Sequence, residues 1–222
     1  MRSAVFVTGT DTGVGKTAIA CALLRAAVAL GHRAVGMKPV SSGIPPVAAV
    51  NADVAALASA GNVDAPLELR NPYAFKPAVA PHLAAQALRM TIEIGRIRAA
   101  FDALSLHADR VVIEGAGGVL VPIGERGDML DIAQALDIPV VLVVGMRLGC
   151  LNHALLSALA IRARGLQCAG WIANAVDPAY DSLAANIAAL EQRLPAPRLA
   201  SCSWNEPARP QWTAAAVALG LA

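Results

Sequence analysis

Short apolar runs alternate along the chain with longer segments whose apolar residues recur every three or four positions. Val5–Thr8, Ala34–Met37, Val111–Glu114, Val140–Val144 and Ala169–Ala173 each predict a strand, and the unbroken apolarity of 140–144 suits a parallel strand covered on both faces. Lys16–Leu30 places Ile19, Ala20, Leu23, Leu24 and Ala27 on one helical face, with Gly31 positioned to end it. Asn51 is suited to cap a short helix through Ala60, and Thr91 a helix from Ile92 to about Leu104. Further helices are expected at Met129–Leu136, Asn152–Arg164 (closed by Gly165) and Asp181–Leu194. A short extended piece is expected at Val119–Pro122, a short strand near Leu199 and a last alanine-rich helix from about Thr213. Residues 40–46, with two serines, a glycine and two prolines, read as a loop, and 61–91 as an irregular excursion with one short helix. The alternation predicts a single doubly wound α/β domain over 1–222, its mainly parallel sheet flanked by helices. Such folds place ligands at the carboxyl ends of the strands.

Composition narrows the class. Hydrophobic residues make up 56% and charged ones 15% of 222 residues, but the longest strongly apolar run, Ile138–Met146, is far short of a membrane span. The N-terminus enters a strand almost at once, without the charged, apolar and cleavage regions of an export signal. Net charge is +2 with no basic stripe, which argues against nucleic acid or anionic lipid as partner. Cys21, Cys150, Cys168 and Cys202 have no zinc or C-x-x-C spacing and read as free thiols in a reducing cytoplasm.

The chemistry begins at the end of the first strand. Gly9-Thr10-Asp11-Thr12-Gly13-Val14-Gly15-Lys16-Thr17 joins that strand to the first helix. Strand, glycine-rich turn and helix start are the order of a phosphate-binding P-loop. Backbone N–H groups converge on a polyphosphate, Lys16 reaches its outer phosphates, and the Thr17 hydroxyl serves Mg²⁺. Five residues separate Gly9 from Gly15, one more than the common template allows. Asp11 is either a turn former bonding its own loop or a carboxylate set beside a metal or a cationic substrate.

Other polar residues fall at strand ends. Lys38 follows the second strand and is either a solvated lysine or a second cation facing the Lys16 pocket. Asp53 is either a first-turn helix acid or a metal carboxylate. Glu114 ends an apolar strand in the Walker-B manner, and the glycines and alanine after it permit close backbone approach to a ligand. Leu148-Gly149-Cys150-Leu151-Asn152 opens a helix and offers free N–H groups to an anion. Asn174, ending another strand, is a turn residue or a reader of a base edge. His32, His82, His107 and His153 read as structural or surface histidines.

Taken together, these segments resemble the dethiobiotin synthetase family. The resemblance runs nearly end to end. It rests on residues 6–17, on Lys38-Pro39-Val40 with Ser42-Gly43, on Asn71-Pro72-Tyr73 and Ala80-Pro81-His82, and on Glu114-Gly115-Ala116-Gly117-Gly118, residues 148–154 and Gly170-Trp171-Ile172-Ala173-Asn174. The long gap inside the P-loop is usual in that family. The resemblance implies ATP- and Mg²⁺-dependent carboxylation and ring closure of 7,8-diaminononanoate with CO₂, through a carbamate and a carbamic–phosphoric anhydride. It implies catalytic roles for Lys16 and Lys38, and a metal held by Thr17, Asp53 and Glu114. Nucleotide contacts would come from Gly13, Val14, Gly15, Lys16, Thr17, Asp53, Glu114, Gly115, Ala116 and Gly117, with Asn174 on the adenine. Substrate contacts would come from Thr12 and Ser42. It also implies a homodimer in which Cys150, Leu151 and Asn152 of the partner subunit bind the substrate's carboxylate.

The chain departs from the family pattern twice. Gly13 stands where some members carry a glutamate, and Ala200-Ser201-Cys202-Ser203-Trp204 replaces a Gly-x-[Ile/Leu]-Pro segment that closes over the base. The competing reading is a P-loop switch ATPase of the partition or septum-positioning kind. Those proteins usually place a lysine five residues before the P-loop lysine, where this chain has Asp11.

Overall fold

Successive residues of a strand face opposite sides of a sheet, so an unbroken apolar run must be covered on both. The computed structural model, which describes residues 3–203 and 211–222, meets that demand. In chain order the elements are β1 (Ser3–Gly9), α1 (Lys16–Ala29), β2 (Ala34–Met37), β3 (Val40–Ser41), α2 (Ala52–Ala60) and α3 (Leu67–Arg70). Then come β4 (Tyr73–Ala74), α4 (Pro81–Ala87), α5 (Ile94–His107), β5 (Arg110–Gly118), α6 (Met129–Leu136) and β6 (Val140–Met146). α7 (Cys150–Ala163), β7 (Cys168–Ala175), α8 (Leu183–Glu191), β8 (Arg198–Cys202) and α9 (Gln211–Ala218) complete the series.

Six strands form one sheet in the order β2-β5-β1-β6-β7-β8, with every pairing parallel. Val5, Val7, Val112, Val141 and Val143 face one layer, made by α1, α2 and α9 through Leu23, Leu24, Leu57 and Trp212. Phe6, Ile113, Val140, Leu142 and Val144 face the other, made by α5, α6 and α7 through Ile97, Leu104, Ile132 and Ile161. The chain leaves β1 toward β2 on one side and reaches β6 on the other, so β1 stands at the switch point where doubly wound sheets open a crevice. Among the described residues no helix is long and apolar enough to cross a membrane.

Several local expectations need correction. Val40–Ser41, expected in a loop, pairs with Tyr73–Ala74 in a separate two-stranded sheet. Buried Asn71 joins the two, donating to the carbonyls of Lys38 (2.6 Å) and Tyr73 (3.0 Å) and accepting from the Ser41 hydroxyl (2.9 Å). The 61–91 excursion contains two short helices rather than one. α5 starts at Ile94, not under a Thr91 cap, because Glu93 N–H donates to the Tyr73 hydroxyl and Ile92 is buried in the core. β5 continues past its expected end at Glu114 to Gly118, which pairs with Gly9, and the chain then turns where an extended piece at Val119–Pro122 was expected. The strand near Leu199 is β8, while Trp204 lies outside the described residues.

Candidate active site

The site is assembled at the carboxyl ends of β1, β2 and β5. β1 delivers the loop from Thr10 to Gly15, and α1 begins at Lys16. Gly15 has φ +89°, and a Cβ there would lie 2.2 Å from Nδ2 of Asn174, so the sharp entry into the helix requires glycine. Asn174, at the end of β7, donates to the carbonyl of Val14 at 2.8 Å and braces the loop from behind.

Lys38 follows β2, which pairs with β5, and its buried ammonium meets the Glu114 carboxylate there. It donates to Glu114 Oε1 (2.6 Å), to Asp53 Oδ2 (2.9 Å) and more distantly to the carbonyl of Gly115 (3.3 Å). The Thr17 hydroxyl donates to the same Glu114 oxygen at 2.8 Å. Asp53 reaches this cluster because Asn51 caps α2. Its Oδ1 accepts the Asp53 N–H (2.9 Å) and its Nδ2 donates to the Ser42 carbonyl (3.1 Å). Lys16 Nζ is held by the main-chain carbonyl of Asp11 at 2.8 Å.

Burial and charge act together on these groups. Burial pushes the Glu114 carboxyl above the usual range, against the pull of Lys38. Burial also pushes Asp53 up, but the Lys38 charge and hydrogen bond, with Thr17 and Lys16, leave it below its ordinary value. Burial, joined by repulsion from Lys38, lowers Lys16 from 10.5 to about 8. A lysine so tuned releases or accepts a proton close to neutral pH and responds strongly to an arriving anion.

A cleft of about 700 Å³ opens over this cluster. Of the residues singled out from the sequence, Thr12, Gly13, Gly15, Lys16, Thr17, Lys38, Ser42, Asp53, Glu114, Ala116 and Gly117 line it. The Thr17 hydroxyl and the carboxylates of Asp53 and Glu114 are hard oxygen donors of the kind Mg²⁺ takes, in the small number it needs when phosphates and water supply the rest. Glu114 Oε2 is buried with no hydrogen-bond partner among the described residues, a donor position that a divalent cation at this place would fill. The residues present therefore fit Mg²⁺.

Comparison with known proteins places the chain in a family. A family profile described as "AAA domain" matches residues 3–211. The ATP-dependent dethiobiotin synthetase of Aromatoleum aromaticum is 52% identical over 196 residues, covering 87% of both chains. That of Nitrosospira multiformis is 48% identical over 206 residues, 93% of this chain and 90% of its own. That of Pseudomonas aeruginosa is 48% identical over 221 residues, 98% and 95% of the two. The chain belongs to the dethiobiotin synthetase family, and so to the ligases. Among solved structures, the septum site-determining protein MinD of Pyrococcus horikoshii, in complex with Mg-ADP, matches with TM-score 0.56 over 99% of this chain and 89% of its own. The signal recognition particle receptor FtsY of Elizabethkingia anophelis matches at 0.55, over 99% and 65%. Both are 15% identical, so they speak for the P-loop NTPase fold alone.

Against the dethiobiotin synthetase pattern, the remaining residues are distributed as follows. Val14 is buried under the loop. Gly115 presents its carbonyl to Lys38, and the N–H of Ala116 donates to Met129 Sδ (3.3 Å) at the start of α6. Cys150, Leu151 and Asn152 form the first turn of α7, with the Cys150 side chain buried, and do not line the cleft of their own chain. Asp11 bonds its own loop through the Thr12 N–H (2.7 Å), as a turn former does, but also pairs with Arg147 at 2.6 Å. Sequence reasoning gave no site role to Arg147, to Ser41 or to the wall formed by Ala78–Pro81 with Val121, although Ala80-Pro81 belongs to a segment that carried the resemblance. Arg147 stands one residue before the helix-opening segment, where a charge facing the P-loop from the neighbouring strand was the available signal.

Proposed function

We propose that this chain, acting as one P-loop domain in the cytoplasm, catalyses ATP-dependent carboxylation and ring closure of 7,8-diaminononanoate to dethiobiotin. The observation that carries the reading is the clasp of Lys38 between Glu114 and Asp53 beside Lys16 and Thr17. It brings a phosphate loop, a divalent-cation donor set and a second buried cation to one cleft.

One amine of the diamine takes up CO₂ as a carbamate. A carbamate oxygen attacks the γ-phosphorus of ATP, ADP leaves, and a carbamic–phosphoric anhydride forms. The second amine attacks the carbonyl carbon and expels phosphate, closing the ureido ring. Each step gathers negative charge at oxygen, so preorganised cations are the main catalytic need. Lys16 holds the outer phosphates, and Lys38, freed from its carboxylates as nucleotide arrives, faces the oxygens between carbamate and phosphate. Thr17, Asp53 and Glu114 would hold Mg²⁺, which when bound would supply Lewis-acid neutralisation of the transferred phosphoryl group. Gly13–Gly15 present backbone N–H groups to the phosphates, Gly115–Gly117 allow close approach, and Asn174 takes the adenine edge. Thr12 and Ser42 hold the carbamate end of the diamine. No side-chain nucleophile is required, because the substrate's amines do the attacking.

The first turn of α7, off the cleft of its own chain, suits the carboxylate of a substrate bound by the other subunit of a homodimer. Sedimentation of the 22.7 kDa chain as a dimer supports this part, and a monomer active at full rate removes it. The reaction is tested by ADP release from MgATP. Release that requires both diamine and bicarbonate supports the proposal, and hydrolysis indifferent to the diamine overturns it.

A further inference from the structure

Asp11 takes no part in the reaction proposed above, yet it brings a carboxylate into a loop built for polyphosphate. Its neighbours Thr12 and Gly13 line the cleft, and Asp11 does not. Its Oδ2 accepts from the Arg147 guanidinium at 2.6 Å, its Oδ1 from the Thr12 N–H, and its main-chain carbonyl from Lys16 Nζ at 2.8 Å. Arg147 follows β6, the strand paired with β1, and its own carbonyl accepts the N–H of Cys150 (3.0 Å) at the start of α7. Both charged side chains are only about half shielded, at 41% and 48% exposure, so the pair is worth little as a structural tie. Its charge balance is another matter. Asp11 is among the charges acting on Lys16, so an uncompensated carboxylate here would oppose any polyphosphate that Lys16 recruits.

We propose that Arg147 is a positioning residue for the phosphate loop: it turns the Asp11 carboxylate out of the cleft and cancels its charge, so that MgATP enters without repulsion. The proposal rests on the nucleotide reading of the cleft.

The test is calorimetric titration of MgATP into wild type, Arg147→Ala, Arg147→Lys, Asp11→Asn and the Arg147→Ala/Asp11→Asn double variant, at low and high salt. Arg147→Ala should weaken MgATP binding about tenfold at low salt, the effect of one unscreened charge on a polyphosphate. High salt should shrink that loss to about threefold or less. Arg147→Lys should keep most of the affinity, and Asp11→Asn should bind at least as tightly as wild type. The double variant should recover to within about threefold of wild type, because removing the carboxylate removes the need for its partner. A merely structural role predicts the opposite, a double variant no better than Arg147→Ala. That result, or an Arg147→Ala affinity equal to wild type, overturns the proposal while leaving the nucleotide reading intact. Failure of wild type itself to bind MgATP overturns both. Arg147→Gln replaces Arg147→Ala, with the same expectations, if the alanine variant does not fold.

Discussion

Replacing Lys38 by methionine keeps much of the side chain's length and apolar stem while removing the charge that holds two carboxylates together. Glu114 is 1% exposed and loses its closest cation, whereas Asp53 is 40% exposed at its side chain and can turn to water. The destabilisation therefore comes mainly from Glu114. Breaking a buried ion pair from one side typically costs about 3–5 kcal/mol. Here protonation of the carboxyl sets a lower ceiling. From an ordinary value of 4.5, taking up a proton at pH 7 costs about 3.4 kcal/mol, and at pH 5.5 about 1.4 kcal/mol. In the variant the folded-state value rises further above 4.5, so its stability improves as pH falls from 7 toward 5. For a chain of this size each kcal/mol shifts Tm by about 2–4 °C. Thermal unfolding followed by circular dichroism without ligand should show Lys38→Met melting up to about 10 °C below wild type at pH 7, with the gap roughly halved at pH 5.5. Saturating MgATP should narrow the gap at pH 7, because Mg²⁺ held by Asp53 and Glu114 would restore positive charge beside them. A Tm equal to wild type at pH 7, or a gap that does not depend on pH, refutes the reasoning that Lys38 compensates a buried charged Glu114.

Lys38→Ala should lower turnover by at least about a hundredfold, the usual loss when one preorganised charge is taken from a transferring phosphoryl group, while MgATP still binds by titration. Lys16 sits near 8 in the free protein because of burial, so MgATP affinity should fall by about an order of magnitude between pH 7.5 and 9.5. Lys16→Met should make that profile flat. The same depressed value means that this lysine's contribution to ligand-free stability improves as pH rises from about 8 toward 10.5, which urea unfolding across that range reads directly. Gly15→Ala must adopt φ +89° and displace the Asn174 amide, costing about 1–3 kcal/mol and most of the MgATP affinity. Asn71→Ala strips bonds from Lys38, Tyr73 and Ser41 at a buried junction and should cost about 2–4 kcal/mol in urea unfolding, with the KM for substrates raised because the Ser41–Ser42 wall loosens.

The sheet and its flanking helices were legible because runs such as Val140–Val144 have one reading: buried on both faces, parallel, central. The P-loop was legible for a similar reason, since its chemistry is carried by backbone and local order. Lys38 and Asp53 were ambiguous. Their roles depend on β2 lying beside β5 and on Asn51 capping α2, and strand order is not written in local pattern. Asn71 was invisible as a junction because its three partners lie on segments up to 33 positions away. The α5 start was misplaced for a related cause: a Tyr73 hydroxyl twenty residues upstream overrode an attractive local cap at Thr91. Arg147 escaped notice because Asp11 was read as a turn former or as the neighbour of a metal or cationic substrate, and its ion pair with Arg147 spans 136 positions.

In the proposed reaction the cleft joins CO₂ to a diamine at the expense of ATP. Incubation with MgATP, ¹⁴C-bicarbonate and 7,8-diaminononanoate, followed by acid treatment, tests it most directly. A free carbamate loses its label as CO₂ in acid, whereas a closed ureido ring keeps it. Acid-stable label in dethiobiotin is expected, with one ADP formed per ring, and at most about a hundredth of that label in the same time when Lys38 is replaced by alanine. ADP production with all label lost to acid would contradict it.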